Sequence, residues 1–285
     1  MICQNTPIER YEIDGGEIFV KREDLACLPP GPPFAKVRGL YSRLLKLKSK
    51  GVEVVGYTET SISMAGWGIS WMAHELGIKA VIFNPVYAKE NDTSSVLEYH
   101  RSKWKEFDAE TIDIDAGMAK VNYYVGKKIL LEKFGPKAVM LPLGIPFPET
   151  VHAVSDEFIL SSCGKFKSIV VCVGSGTMAA GILSGIIETK SDAKLYGVLC
   201  RESNQPGFKR SLLFDKAGIV FNNSFRNFHL VDLGYEYTNK VEMDCPFPCN
   251  PYYDAKAYKF LLDCRKEGYN KNRFKEPILF WNIGA

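Results

Sequence analysis

From residue 52 onward the chain alternates strand-type and helix-type segments, and few folds accommodate that order. V-E-V-V-G-Y (52–57) reads as a strand, and S-M-A-G-W-G-I-S-W-M-A-H-E-L (63–76) as a helix stopped by Gly77. A-V-I-F-N-P-V (80–86) is a strand. The helix that follows (94–107) starts behind Asn91, Asp92 and Thr93, which are good capping residues. T-I-D-I-D (111–115) is a strand, a long helix runs to Gly135, and A-V-M-L-P-L (138–143) is the next strand. Strands separated by helices imply parallel pairing with helical crossovers.

The same alternation resumes after residue 149. A helix over 149–160, the strand S-I-V-V-C-V (168–173) and a helix over 177–187 lead to the strand K-L-Y-G-V-L (194–199). A helix around 209–216, the strand F-H-L-V-D-L (228–233), a helix over 255–266 and the strand P-I-L-F-W-N-I (277–283) complete the chain. P-L-G-I-P-F-P (142–148) breaks the pattern between two α/β halves, and residues 12–21 read as a hairpin. The expected organisation is two three-layer α/β/α domains with mostly parallel sheets. Residues 1–50 and 149–285 would form the larger and 51–148 the smaller. Open sheets of this kind bind ligands at the carboxyl ends of their strands.

Composition excludes several classes. The 285 residues are 46% hydrophobic and 24% charged, ordinary for a globular protein. A net charge of +3 is too small to argue for nucleic acid by itself. No run reaches the ~18 apolar residues of a membrane helix, and the first ten residues lack signal-peptide features. The eight cysteines form no C-x-x-C pair, which points to reduced thiols and a cytoplasmic protein. His74, His100, His152 and His229 are scattered, so no metal site is expected.

Four segments carry chemistry. G-P-P-F-A-K-V-R-G-L (31–40) presents Lys36 on a stiff turn opening a helix. A desolvated lysine there can form a Schiff base, although a lone lysine is ordinarily a surface cation. In V-V-C-V-G-S-G-T-M-A-A-G-I-L (170–183), Gly174, Ser175, Gly176 and Thr177 link a strand to a helix N-terminus, which suits a phosphate. The spacing is not G-x-G-x-x-G, so a dinucleotide fits poorly, and a ligand-free tight turn is the plain alternative. T-E-T-S-I-S-M-A-G-W-G (58–68) is a second such turn, where Thr60, Ser61 and Ser63 can hold a carboxylate or simply cap the helix. In C-N-P-Y-Y-D-A-K-A (249–257), Tyr253 and Asp254 stand at a helix entry, and an N-cap role for Asp254 gives the same local sequence. An amine and a phosphate cradle together suit pyridoxal phosphate (PLP), an aldehyde that carries a phosphate.

The order of these segments resembles the PLP enzymes of the tryptophan synthase β-like fold (fold type II). Within that fold it is most similar to the branch of 1-aminocyclopropane-1-carboxylate deaminase and D-cysteine desulfhydrase, over most of the chain. V-K-R-E-D-L-A (20–26) is similar to that branch's K-R-E-D stretch, and F-A-K-V-R-G-L (34–40) stands where it has G-N-K-x-R-K-L. The resemblance implies that Lys36 is the Schiff-base lysine and that 174–177 hold the cofactor phosphate. It places Ser63 on the deaminase's active serine, with Thr60 and Ser61 on the substrate carboxylate. N-P-Y-Y-D-A-K-A looks like D-P-V-Y-x-G-K-A, which implies Tyr253 at the substrate and Asp254 at the pyridine nitrogen. Three positions depart from the pattern. Met64 stands where the family commonly has asparagine, Ile283 where it has a terminal threonine, and P-F-A precedes the lysine in place of G-G-N.

The resemblance implies a PLP-dependent lyase or deaminase acting on a small amino acid, with Lys36, Ser63 and Tyr253 catalytic. A homodimer follows only by family analogy. Two further readings compete with it. One is decarboxylation or cleavage of an amino acid tethered to a larger carrier, such as a hypermodified phage DNA base; nucleic acid is a partner only in this case. The other is a non-catalytic binding protein with a degenerate cofactor site, suggested by Met64 and Ile283.

Overall fold

The computed structural model describes residues 3–13, 16–86, 94–115, 117–204, 206–218, 227–266 and 273–285. Ten strands and eight α-helices are described there, and they follow the sequence pattern closely. The expected caps Asn91, Asp92 and Thr93 lie outside the described residues.

The chain divides into two compact units. The first comprises Met1–Cys27, Pro33–Gly39 and Phe147–Ala285; the second comprises Leu28–Pro32 and Leu40–Pro146. The division anticipated from sequence kept residues 1–50 with the larger unit. The chain instead crosses at Gly39, inside helix α1 (Val37–Ser49), most of which belongs to the second unit. A change of unit within a regular helix leaves no break in composition for a sequence reading to find.

The first unit holds a six-stranded sheet. Its strands are β1 (Ile8–Ile13), β2 (Gly16–Arg22), β7 (Ser168–Val173), β8 (Lys194–Leu199), β9 (Phe228–Val231) and β10 (Ile278–Asn282). Their order is β1-β2-β10-β7-β8-β9. Only the hairpin pair β1–β2 is antiparallel; the pairs on to β9 are parallel. Strands β7 and β10 are buried along their whole length, which is why they read as unbroken apolar runs. Helix α5 (Pro148–Leu160) starts on proline and packs against α6 (Thr177–Glu188). They approach so closely that a Cβ on Gly181 would lie 2.5 Å from that of Val154. Helices α7 (Pro206–Lys216) and α8 (Asp254–Arg265) complete this unit.

The second unit is a four-stranded parallel sheet ordered β5-β4-β3-β6. Its strands are β3 (Val54–Thr58), β4 (Lys79–Val86), β5 (Glu110–Asp115) and β6 (Ala138–Met140). Helices α2 (Ala65–Leu76), α3 (Ser94–Glu106) and α4 (Ala119–Phe134) connect them. Gly77 ends α2 at φ 62°, donating its N–H to the Ala73 and His74 carbonyls, a left-handed cap that suits glycine. Strand β6 is shorter than the expected 138–143, because a turn closes there with the Ile145 N–H on the Pro142 carbonyl at 3.0 Å. Val54, Val81, Phe83, Leu130 and Met140 form its core.

Candidate active site

The end of β10 organises the lysine turn. Its continuation pairs with the turn as an antiparallel bridge between Phe34 and Gly284. The Ala35 N–H donates to the Ile283 carbonyl at 3.0 Å, and the Ala285 N–H to the Pro33 carbonyl at 3.3 Å. Lys36 is therefore held at the carboxyl end of a central strand. Two residues on, Arg38 grips Glu23 through two bonds of 2.7 and 2.8 Å and lies 3.3 Å from the Glu157 carboxylate. Glu157 also pairs with the fully buried Lys21. Arg22 makes a two-pronged contact with Asp24 at 2.9 and 2.7 Å. The K-R-E-D stretch is thus a buried ionic base under the lysine turn. Removing one partner of such a network strands a buried charge.

Lys36 is only partly exposed, unlike the surface cation that a lone lysine suggests. Burial lowers its pKa to about 8, helped by the positive charges of Lys216 and Lys209. A substantial neutral fraction at physiological pH is what imine chemistry requires of an amine.

Gly174, Ser175, Gly176 and Thr177 follow β7 and open α6. Gly176 is the N-cap at φ 87°, a conformation that favours glycine, and a Cβ there would overlap the Leu213 side chain. Ser175 and Thr177 share a hydrogen bond of 3.0 Å between their hydroxyls. Among the described residues no protein acceptor is bonded to the amides of Ser175, Gly176 or Thr177. Sequence reasoning passed over the two lysines beside this loop. Lys209 donates to the Gly174 carbonyl at 2.5 Å and Lys216 to the Ser175 carbonyl.

Asp254 is fully buried as the first residue of α8. The N-cap alternative is not realised: the cap is Tyr253 and no side chain caps the helix. Instead, Asp254 Oδ1 accepts the Ile283 N–H at 2.9 Å, while Oδ2 is buried without a hydrogen-bond partner. Burial drives this carboxyl well above the usual range, and the nearby Asp24 adds to the shift. At position 283 it is the backbone that serves both Asp254 and the lysine turn, and the Ile283 side chain itself is buried. The Tyr253 and Tyr237 hydroxyls lie 2.6 Å apart, a hydrogen bond in which either can be the donor.

Thr60, Ser61 and Ser63 belong to the second unit, in the turn from β3 to α2. Ser63 Oγ accepts the Ala65 N–H at 3.1 Å, a local capping bond, and Met64 is buried at the helix N-cap. The turn is built around Glu59, which the sequence did not single out. This carboxyl is only 2% exposed and accepts the Thr60 N–H at 2.8 Å and the Gly66 N–H. Burial raises its pKa to about 8, against the lowering effect of those N–H groups and the Ser63 hydroxyl.

Residues 2–232 match the family described as pyridoxal-phosphate dependent enzymes. The chain belongs to this family. It is 32% identical over 296 residues, covering all of both chains, to a protein of Pseudomonas phage M6 named glycyl-dTMP PLP-dependent decarboxylase. The crystal structure of a homologue of ACC deaminase superposes with a TM-score of 0.79 at 23% identity, over 99% of this chain and 90% of that one. A hydrogen sulfide-producing enzyme from Fusobacterium nucleatum gives a TM-score of 0.67 at 17% identity, over 100% and 96%. These two likenesses support the fold, a mixed α/β architecture of the fold type II class.

This PLP-dependent enzyme has side chains that fit its cofactor. The unpartnered Asp254 Oδ2 is a buried acceptor of the kind a protonated ring nitrogen satisfies. Gly176 allows the left-handed turn that opens α6 at the 174–177 loop and leaves room for Leu213, and Lys36 has an amine with a lowered pKa. The expectation of a non-catalytic binding protein is set aside, because the relatives matched along the chain are enzymes.

Proposed function

We propose that this chain is a PLP-dependent decarboxylase acting on an amino acid carried by a nucleotide, of the glycyl-dTMP type. The supporting observation is the 32% identity, end to end in both chains, with the phage enzyme of that name. This is the tethered-substrate reading of the sequence, now preferred to a lyase or deaminase for free small amino acids.

Bound PLP supplies an electron sink for the pair released when a bond to the substrate α carbon breaks. The chain's own residues set which bond that is and where protons go. Lys36 would hold the cofactor aldehyde, and its amine, whose pKa burial lowers to about 8, would be placed to hold or deliver a proton at the α carbon. Asp254 keeps its Oδ2 for the ring nitrogen's proton. Its carboxylate form, costly while buried alone, is stabilised by that positive partner. Thr60, Ser61 and Ser63 are proposed to orient the carboxylate. Met64 places an apolar side chain next to them, which favours departure as neutral carbon dioxide over retention of the anion. In the decarboxylation the bond from the α carbon to the carboxylate breaks, carbon dioxide leaves, and the α carbon takes up one proton. Tyr253, hydrogen-bonded to Tyr237, is the second candidate acid. Ser63 is engaged by the Ala65 N–H, a tie that a deaminase nucleophile would have to give up. A homodimer belongs to the same proposal, and sedimentation checks it.

The test is to incubate the PLP-loaded enzyme with glycyl-dTMP, free and within an oligonucleotide, and follow product mass. Loss of one carbon dioxide with the amine retained supports the proposal. Release of ammonia or sulfide from a free amino-acid panel, with glycyl-dTMP untouched, would replace it with the deaminase reading.

A further inference from the structure

Lys209 and Lys216 occupy one face of α7, with Leu213 between them at helical spacing. Leu213 packs on Gly176, so this face lies directly on the 174–177 loop. Both ammonium groups turn inward to the loop's outer carbonyls, Gly174 and Ser175. Neither has a carboxylate partner among the described residues. Their charges reach Lys36, and each is discouraged by burial, with Lys216 brought to about 8. Three partly desolvated cations at one loop are costly unless an anion joins them. The ordinary cradle of such a loop is uncharged, made of backbone amides and a helix N-terminus.

We propose that Lys209 and Lys216 are the cationic half of the cofactor phosphate site. They hold the dianionic phosphate against the 174–177 loop by charge-assisted bonds. The inference rests on PLP binding at Lys36, and its test separates the two ideas by comparing PLP with pyridoxal, which has the same aldehyde and no phosphate.

The experiment titrates PLP and pyridoxal into wild type, Lys209→Met, Lys216→Met and the double variant, following the visible absorption of the lysine-bound aldehyde. Each single variant is expected to weaken PLP about tenfold, the effect of losing one charged hydrogen bond, and the double variant more. Pyridoxal reports any change at Lys36 itself, and its affinity is expected to change by much less than the tenfold loss for PLP. In wild type, but not in the double variant, the preference for PLP over pyridoxal falls as salt is raised. Equal weakening of both aldehydes would overturn the proposal, because the lysines would then act through the fold or through Lys36 alone. Unchanged PLP affinity with weaker binding of glycyl-dTMP would also overturn it, assigning the cations to the substrate's phosphate. Pyridoxal that still reacts in the double variant shows that the Lys36 site itself is intact, and the wild-type salt profile serves if a variant does not fold.

Discussion

Two strand-to-helix corners in this molecule share one connection, a parallel strand leading into a helix N-terminus, and differ in what completes them. At the β7–α6 corner the loop amides have no protein acceptor among the described residues, and the nearest charges are the ammonium groups of Lys209 and Lys216. At the β3–α2 corner the chain supplies its own acceptor: the Glu59 carboxyl takes the Thr60 and Gly66 N–H groups. A helix N-terminus attracts negative charge in both cases. The first corner is prepared for an anion from outside, and the second has part of its demand already met internally. A hydroxyl-rich turn in a sequence therefore does not establish how many amides remain for a ligand.

The largest expected effect comes from the lysine on the turn that pairs with the end of β10. Lys36→Ala should abolish the visible band of the bound aldehyde and lower turnover by roughly 10³-fold, the scale of a lost acid–base group. Turnover within tenfold of wild type would remove Lys36 from the chemistry. Asp254→Asn comes next. Turnover should fall roughly 10²-fold as a preorganised charge is lost. Without cofactor the same variant should be the more heat-stable protein at neutral pH. The folded-state pKa of Asp254 lies above its unfolded value of 3.8, so its contribution is intact below that value and is lost as pH rises toward the folded one. Melting curves from pH 4 to 8 should therefore diverge with rising pH, and parallel curves would contradict the burial of an unpartnered carboxyl.

Gly176→Ala sharpens the contrast from the backbone. Strain at φ 87° and the overlap with Leu213 should cost about 1–3 kcal/mol in stability, measured by urea unfolding, and weaken PLP at the same time. The smallest effect belongs to Glu59→Gln. Its raised pKa means that stability is present below about 4.5 and is lost as pH rises through about 8. Gln is uncharged throughout, so the variant should match wild type below about pH 4.5 and gain on it progressively as pH rises toward about 8. A variant less stable at every pH would show that the ionised form is the one the turn needs.

Much of this was legible in the sequence. Parallel strands buried on both faces, such as S-I-V-V-C-V and I-L-F-W-N, read as apolar runs, and Gly77 and Gly135 mark helix ends. Lys36 and the 174–177 loop were visible because a stiff turn and a glycine turn leave local marks. Glu59 was not, since one glutamate after a strand is ordinary until the structure shows it buried. Asp254 was ambiguous for a related reason: its acceptor role depends on Ile283, 29 residues away and brought to it by the sheet. The spacing of Lys209 and Lys216 on one helical face was readable, but the surface they face was not. The division of the chain at Gly39 is set by packing, which the continuous helix α1 conceals.

The most direct measurement is borohydride reduction of the PLP-loaded protein followed by peptide mass mapping. Reduction fixes the cofactor to whichever amine holds it. The account predicts a single phosphopyridoxyl group on the peptide carrying Lys36, lost in Lys36→Ala. A label on Lys209 or Lys216 instead, or no label after loading with PLP, would contradict it.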